Sequence, residues 1–327
     1  MKDKPLITIG IPVYNGEDFI RDCLNSICNQ TYENLEIIIS DNASDDHTSE
    51  ICEEFAAKDL RIKYFRNKKN LGAAPNYNKV FELSSGEFFK WQAHDDMIEK
   101  DFIEKCANVL LQYKDVSLVY AKRSVIDKLG KKIKDIDDKL FFFDDLPSKR
   151  FGQFMKRFTK STEYCDPIFG LIRTSSLKQT RLFGSFHTSD MILLAELLLN
   201  GKFFEIDERL FLRRIHEKIS TNSYPDPKSR ALWFNTNNKI KFSFHYFKWL
   251  LEFIKTISRS NINIEEKLIC FYHLFVWSLK LWKGFAVNIR DAAIDSAPML
   301  LSFFKKKINS KEIKQIKYLA IKNGENI

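Results

Sequence analysis

Residues 7–46 read ITIGIPVYNGEDFIRDCLNSICNQTYENLEIIISDNASDD, and this stretch decides the fold. It holds two short runs rich in β-branched residues, 6–11 and 35–40, which are typical of strands buried on both faces. Between them, residues 17–29 carry apolar side chains at helical spacing. The order strand, helix, strand predicts a parallel pair joined by a crossover helix.

The same alternation continues to residue 96. The pattern predicts helices at 49–58 and 76–83 and strands at 62–65 and 88–91. This order predicts an α/β fold with a mostly parallel sheet and helices on both faces.

Polar side chains follow each of the four predicted strands. In such sheets, ligands bind beyond the carboxyl ends of the strands. Because those ends meet at one edge, we expect a single site there. Its candidate residues are Tyr14 and Asn15 after the first strand, Asp41 and Asn42 after the second, Arg66 and Asn70 after the third, and His94, Asp95 and Asp96 after the fourth.

The rest of the chain predicts two further regions, 101–222 and 223–327. The first is an irregular mixture that includes a strand at 116–120, a hairpin turn at 129–131, an apolar helix at 190–199 and a strand at 209–214. The second begins at a Pro-rich linker, SYPDP (223–227), and becomes an aromatic helical extension over 232–257, 265–282 and 298–308.

Charge is concentrated at one end of the chain. The net charge is +9, and residues 301–327 contain seven lysines against two glutamates. A basic segment beside aromatic helices predicts contact with an anionic membrane surface rather than with nucleic acid. A homodimer interface and a merely solvated lysine-rich end are the alternatives.

The cysteines and the N-terminus predict a cytoplasmic protein, either soluble or peripheral on the inner face of the cell membrane. The six cysteines are scattered through apolar stretches without a C-x-x-C pair, which is typical of reduced, buried thiols. The chain shows neither a long apolar leader near residue 1 nor an apolar run of about 18 residues.

The quoted stretch, together with NLGAAPNYNKVFELSSGEFFKWQAHDD (70–96), resembles the start of family 2 inverting glycosyltransferases, which have the GT-A fold. The resemblance covers residues 6–100 closely and 101–216 more loosely. It implies a nucleotide-sugar-binding half over 1–100 and an acceptor-binding, catalytic half over 101–222. It also implies transfer from a UDP-sugar with inversion of the anomeric centre.

The resemblance implies a role for each residue of the donor site. Asp41 matches the residue that bonds the nucleobase, and Pro12, Tyr14 and Glu17 match the loop that cradles base and ribose. Arg66 and His94 match positions near the donor. The plainer interpretation is that Tyr14 belongs to a turn and that Asp41 caps a helix.

A divalent metal, Mn²⁺ or Mg²⁺, is predicted at Asp95 and Asp96. Such ions are held by few carboxylates and by several phosphate or water oxygens. His216 matches a position where some family members have a further metal ligand or a phosphate contact. The family often has another aspartate where this chain has Ala93. The plainer interpretation is a pair of helix-capping aspartates.

The resemblance also implies a catalytic base, and Asp190 at the start of the apolar helix is the candidate. It would take the proton of the attacking acceptor hydroxyl. The alternative is a helix cap without chemistry, a role that Ser189 could also fill. Arg213 and Arg214 are candidates for pyrophosphate binding.

Three functions remain open from the sequence. The first is a non-processive transferase that adds one sugar to a glycan or a lipid-linked acceptor, because the chain lacks the Arg-Trp pair of processive synthases. The second is a nucleotidyltransferase, although a Gly-rich basic phosphate loop is missing from the first strand end. The third is a degenerate binding module, which Ala93 keeps open.

Overall fold

The computed structural model describes residues 4–137, 142–159, 166–224, 227–236 and 245–290. The strands are β1 (Ile7–Val13), β2 (Leu35–Asp41), β3 (Ile62–Arg66), β4 (Phe88–Trp91), β5 (Met97–Ile98), β6 (Val116–Ile126), β7 (Lys132–Ile136), β8 (Leu171–Arg173) and β9 (Lys202–Arg214). The helices are α1 (Ile20–Cys28), α2 (Thr48–Lys58), α3 (Ala73–Glu82), α4 (Phe102–Gln112), α5 (Pro147–Phe158), α6 (Thr174–Leu177), α7 (Ser189–Asn200), α8 (Ser220–Ser223), α9 (Pro227–Phe234), α10 (His245–Arg259) and α11 (Ile264–Lys280).

One mixed sheet runs through the molecule in the order β3-β2-β1-β4-β8-β6-β9-β5, with β7 paired to β6. The first four strands are parallel, as predicted. The three-residue strand β8 then runs antiparallel to both β4 and β6, whereas β6 and β9 are parallel to each other. Every residue of β1 and β2 is buried, which explains why apolar residues dominate both strands.

Two hydrophobic cores lie on opposite faces of the sheet. One contains Leu24 of α1 and Ile103 of α4. The other contains Val80 of α3, Phe151 of α5 and Leu193 of α7. The predicted cover of helices on both faces is therefore confirmed.

The second half of the sheet is longer than the sequence pattern indicates. Strand β6 extends ten residue pairs along β9, through several irregularities in register. The predicted turn at 129–131 is the β6–β7 hairpin, where Gly130 has a φ of 80°. That left-handed conformation favours glycine.

The aromatic helices of the C-terminal region pack onto the core through α5 and α7. The ring of Phe158 lies 5.4 Å from that of Trp249, 5.6 Å from that of Phe253 and 5.8 Å from that of Trp277, measured between centroids. Much of the high aromatic content is used in this way. Segment 298–308 and the lysine-rich residues after it lie outside the described residues, and the three-part division of the chain stays a prediction.

The thiol prediction can be followed for five of the six cysteines. Cys23, Cys28, Cys52, Cys106 and Cys270 are free, and all but Cys28 are buried. Cys165 lies outside the described residues. Within the described ranges, none of the helices combines the length and the apolar character needed to cross a bilayer.

Candidate active site

The ends of the first four strands meet on one rim, as expected from a parallel sheet. The backbone N–H of Asn42 donates to the carbonyl of Val13 at 2.8 Å, and that of Asn67 donates to the carbonyl of Asp41 at 2.8 Å. At the fourth strand, Gly16 packs so closely on the ring of His94 that an added Cβ would lie 2.6 Å from His94 Cδ2. The loops after β1, β2, β3 and β4 therefore form one continuous surface.

Asp41 is fully buried at the tip of β2. Its Oδ1 accepts hydrogen bonds from the Ser44 N–H at 2.9 Å and the Ser44 hydroxyl at 2.6 Å, and its Oδ2 accepts one from the Tyr64 hydroxyl at 2.8 Å. Arg66 Nε lies 3.8 Å from Oδ2. These partners fix the carboxylate and bring Arg66 beside it. The Asp41 charge also contributes, after burial, to raising the pKa of Tyr64.

The loop after β1 is fastened to the loop after β2. The Asn15 N–H donates to Ser44 Oγ at 2.9 Å, and the Glu17 carboxylate accepts a hydrogen bond from the His47 N–H at 3.0 Å. Tyr14 lies at the tip with its side chain exposed, whereas Pro12 is buried within β1. This arrangement holds Tyr14 in front of the rim.

Asn42 organises the third loop of the rim. Its side-chain nitrogen donates to Asn70 Oδ1 and to the Gly72 carbonyl, and its oxygen accepts from Asn67 Nδ2 and the Leu71 N–H. All four hydrogen bonds of this buried amide are therefore used inside the protein.

Asp95 and His216 form the charged centre of the rim. His216 Nε2 lies 3.0 Å from Asp95 Oδ2, and the imidazole packs 4.4 Å from the ring of Phe19 between centroids. Burial alone would raise the pKa of Asp95, but the hydrogen bond from His216 and the charge of His94 outweigh it, so that the pKa falls below its usual value. The carboxylate is therefore held ionised.

Asp96 points into the protein. Its Oδ1 accepts a hydrogen bond from the Arg214 N–H at 2.8 Å, and the residue is 6% exposed. Burial and the adjacent charge of Asp95 raise its pKa well above the usual value for an aspartate. The two aspartates thus differ in environment: Asp95 carries the charge, and Asp96 fastens the motif to β9.

Arg214 is buried beneath Asp95 and Asp96 and bonds the surrounding backbone. Its guanidinium donates to the carbonyls of Asp95, Asp127 and Lys128 and to the Asp22 carboxylate, and its side chain has no exposed surface. The prediction that Arg214 binds pyrophosphate is therefore wrong, because the donors are already used inside the protein.

Arg213, the neighbouring residue, is one-third exposed and bonds both oxygens of Asp166 at 3.2 Å. Asp166 is also paired with Arg123 of β6. This cluster on the far half of the sheet was not predicted from the sequence.

The side chains at the rim that can ligate a metal fit a divalent ion that takes its other ligands from phosphate. No group of three or more His, Cys, Asp or Glu side chains arranged to hold a metal occurs among the described residues. Asp95 and His216 supply two side chains that can ligate a metal. His216 Nδ1 is buried without a hydrogen-bond partner. Mg²⁺ and Mn²⁺ sites of this kind use one or two protein ligands plus the oxygens of a substrate diphosphate. Cys23 beneath the motif adds no thiolate, because burial raises the pKa of its thiol far above the usual value.

Asp190 lies inside the first turn of α7 and is half-buried. Its Oδ1 accepts a hydrogen bond from the Met191 N–H at 2.9 Å. The cap position belongs to Thr188, which has a φ of 62° and makes no side-chain capping bond. Asp190 is therefore not at the cap position itself, but its carboxylate meets a first-turn N–H, so both the helix-start role and the catalytic role stay predictions.

Contacts not predicted from the sequence join this helix start to the segment that begins at residue 223. His187 Nε2 lies 3.2 Å from Arg230 Nη1, and Arg230 Nε donates to the Tyr224 carbonyl at 2.7 Å. The sequence gives no local signal for this link, because Arg230 and His187 are 43 positions apart. The catalytic and binding roles assigned to individual residues stay predictions.

Solved structures with the same architecture define the class of fold. TarS residues 1–349 of S. aureus, in complex with UDP-GlcNAc, match with a TM-score of 0.63 and 16% identity, over 87% of this chain and 76% of that one. A mannosyltransferase of Pyrobaculum calidifontis in complex with GDP-Man and Mn²⁺ matches with a TM-score of 0.52 and 13% identity, over 96% and 85%. The architecture is that of a GT-A-type α/β domain, as predicted.

The sequence comparisons give the family. The family model described as Glycosyl transferase family 2 matches residues 8–180. An uncharacterized glycosyltransferase of Rickettsia typhi is 39% identical over 238 residues, which is 70% of both chains. The chain belongs to glycosyltransferase family 2.

Two other relatives match over about a third of this chain. Glycosyltransferase GlyA of Streptococcus pneumoniae is 38% identical over 107 residues, which cover 33% of this chain and 15% of that protein. The putative glycosyltransferase EpsH of Bacillus subtilis is 40% identical over 103 residues, or 32% and 30%. Family membership removes support from the nucleotidyltransferase alternative.

Proposed function

We propose that the protein is a non-processive inverting glycosyltransferase. It moves a hexosyl or N-acetylhexosaminyl group from a UDP-sugar to a hydroxyl of a glycan or a lipid-linked acceptor, in polysaccharide biosynthesis. The observation that carries the proposal is the single rim on which buried Asp41 and the Asp95–His216 pair lie together. The TarS complex with UDP-GlcNAc favours a UDP-sugar as the donor.

The donor half binds the nucleotide. Asp41 accepts a hydrogen bond from the base, Tyr14 stacks on it, and Pro12 and Glu17 shape the loop that holds the ribose. Arg66 and His94 contribute positive or polar groups near the diphosphate. The exposed Tyr14 ring supports its stacking role. A hydrogen bond from the base to Asp41 requires the buried carboxylate to exchange one of its internal partners.

Asp95 and His216 hold the metal, and Asp96 supports Asp95 from below or joins as a ligand. Mn²⁺ or Mg²⁺, when bound there, neutralises charge on the leaving diphosphate. Asp95 is suited to this task because its pKa is lowered. Arg214 keeps the motif in place from inside the fold.

Asp190 acts as the general base on the acceptor side. The acceptor oxygen bonds to the anomeric carbon as the carbon–oxygen bond to UDP breaks, and the hydroxyl proton passes to the Asp190 carboxylate. Attack from the face opposite UDP turns an α-linked donor into a β-linked product. Such a base contributes about 10²–10⁴-fold in rate.

A donor screen tests the proposal. Purified protein with Mn²⁺ is incubated with UDP-, GDP- and dTDP-sugars, and nucleotide release is measured with and without acceptor. We expect UDP release that EDTA suppresses. Asp95→Asn and Asp190→Asn should each reduce turnover by about 10²-fold or more. Asp207→Asn, at a side chain 87% exposed on β9, is the matched control.

Each outcome has a separate meaning. Loss of turnover in Asp190→Asn with unchanged UDP binding supports Asp190 as the general base. Loss of both turnover and UDP binding would assign Asp190 to the donor site. Binding of UDP-sugar without turnover under any condition would support the degenerate binding module. Full turnover in Asp95→Asn would remove the metal assignment.

A further inference from the structure

The outer surface of the C-terminal helices carries a continuous apolar stripe. Its members lie on α11 and on the helical residues 282–290 that follow it. Each is 56–63% exposed, although each is large and apolar or aromatic. We call the following six residues the α11 stripe: Leu268, Tyr272, Phe275, Leu279, Trp282 and Ile289.

The spacing places these side chains on one side of the helix. Steps of four and three residues from 268 to 282 keep them in line, and Glu266, Cys270, Leu274 and Trp277 occupy the opposite, buried side. The pattern continues past α11, because the buried Asn288 side chain accepts a hydrogen bond from the Tyr246 N–H at 2.9 Å. From 268 to 289 the stripe extends for about 30 Å.

A patch of this size marks an interaction surface, and charge indicates the partner. Lys280 and Lys283 are exposed beside the stripe. Residues 301–327, which follow it in sequence, contain seven lysines and two glutamates. A second copy of the chain would bring two such basic segments together, whereas an anionic lipid surface attracts them. Trp, Phe and Leu on one face with lysines beside it are typical of helices that lie in a membrane interface.

We propose that the α11 stripe docks on an anionic membrane surface, with the helix axis parallel to the bilayer. The proposal does not depend on the sugar-transfer chemistry. It agrees with a lipid-linked acceptor, because α10 packs on both α11 and α7, the helix that begins beside Asp190.

Vesicle flotation tests the proposal with the full-length chain. The protein is mixed with phosphatidylcholine vesicles that contain or lack phosphatidylglycerol, at low and at high salt. We expect flotation with the anionic vesicles that weakens in high salt. The double variant Phe275→Ser/Leu279→Ser should lower partitioning by about tenfold or more, because two side chains no longer enter the interface.

The control is Leu60→Ser/Leu129→Ser, which removes two leucines that are 96% and 83% exposed elsewhere. It should float like the wild type, and both double variants should release UDP from donor at the wild-type rate without vesicles. Absence of flotation with anionic vesicles, or equal flotation of the two double variants, overturns the proposal. A dimer in solution that Phe275→Ser/Leu279→Ser alone dissociates, without flotation, also overturns it and assigns the stripe to a second copy.

Discussion

Arg214 shows how a single buried side chain can set the geometry of a site that it does not enter. It bonds three carbonyls and the Asp22 carboxylate, while its own N–H holds Asp96. We expect Arg214→Lys to lower the free energy of unfolding by about 3 kcal/mol, because a lysine cannot make these bonds from one nitrogen. Urea unfolding measures the loss. Arg209→Lys, at an exposed position of the same strand, should change stability by less than about 0.5 kcal/mol.

Lys90 is a second buried cation, and it makes stability depend on pH. It has no exposed surface, its Nζ donates to the carbonyls of Trp91 and Phe169, and burial lowers its pKa to about 7. An unfolded lysine titrates near pH ~10.4. Between about pH 7 and pH 10 this lysine therefore binds more protons in the unfolded chain, and its contribution to the free energy of unfolding should rise with pH by up to about 1.4 kcal/mol per unit.

The variant Lys90→Met cannot ionise and should lose this rise. Urea unfolding at several pH values from neutral to alkaline measures it, and Lys100→Met, at an exposed lysine, is the control. If Lys90→Met and the wild type rise in parallel with pH, Lys90 is charged in the folded state and the assignment is wrong.

The roles of Asp95 and Arg214 show what the sequence can and cannot reveal at this scale. Asp95 follows a recognisable strand in a recognisable motif, so its place on the rim could be predicted. The inward direction of Arg214 could not, because in a strand one of two adjacent arginines faces in, and only the register of β9 decides which one.

Among the elements, an ion network joins helix α7 to the C-terminal helix α10. Arg181 bonds Glu196 of α7 at 2.5 Å and Glu252 of α10 at 2.5 Å, and its guanidinium also donates to Thr256. Both glutamates are buried. Arg181→Leu leaves them without this partner, and we expect a loss of about 3 kcal/mol in the free energy of unfolding.

Chemical denaturation followed by tryptophan fluorescence suits this test, because Trp249 and Trp277 lie in the same helical region. Arg259→Leu on the exposed side of α10 serves as the control. A loss that is no larger in Arg181→Leu than in this control would show that apolar packing alone holds α10 in place.

Helices and strands whose apolar residues recur with a clear period were predicted closely. Those that pass from a buried to an exposed environment along their length were not. Residues 88–91 are the strand predicted, since all four are buried. Strand β9 was predicted only from 209, because Asp207 and Glu208 interrupt the apolar pattern where the strand is exposed. The Pro-rich segment 223–227 predicts a linker, although Tyr224 within it accepts a hydrogen bond from Arg230, which also lies against His187. No local sequence pattern encodes these contacts.

At the scale of the whole molecule, the proposed donor and metal should stabilise the fold together. Ligands that bind only the folded state add about 2.7 kcal/mol at a hundredfold excess over Kd. We expect UDP with Mn²⁺ to raise the melting temperature more than either alone. Differential scanning fluorimetry checks this, with GDP and EDTA as comparisons. Asp95→Asn should keep the UDP shift and lose the increment due to Mn²⁺; an undiminished increment would place the metal elsewhere.

The thin junction at β8 has a consequence for how such proteins diversify. This strand joins the sheet by two residue pairs to β4 and two to β6, so little backbone pairing links β1 to β4 with the strands beyond β8. A chimaera that keeps residues up to Asp96 and takes the remainder, including β6, β8 and β9, from another family member therefore divides the sheet only at the two β4–β8 pairs. We expect it to retain nucleotide affinity and to acquire the acceptor preference of that second protein. Recombination at this junction would allow one nucleotide-binding part to be combined with different acceptor-binding parts, and so to yield different sugar-chain products.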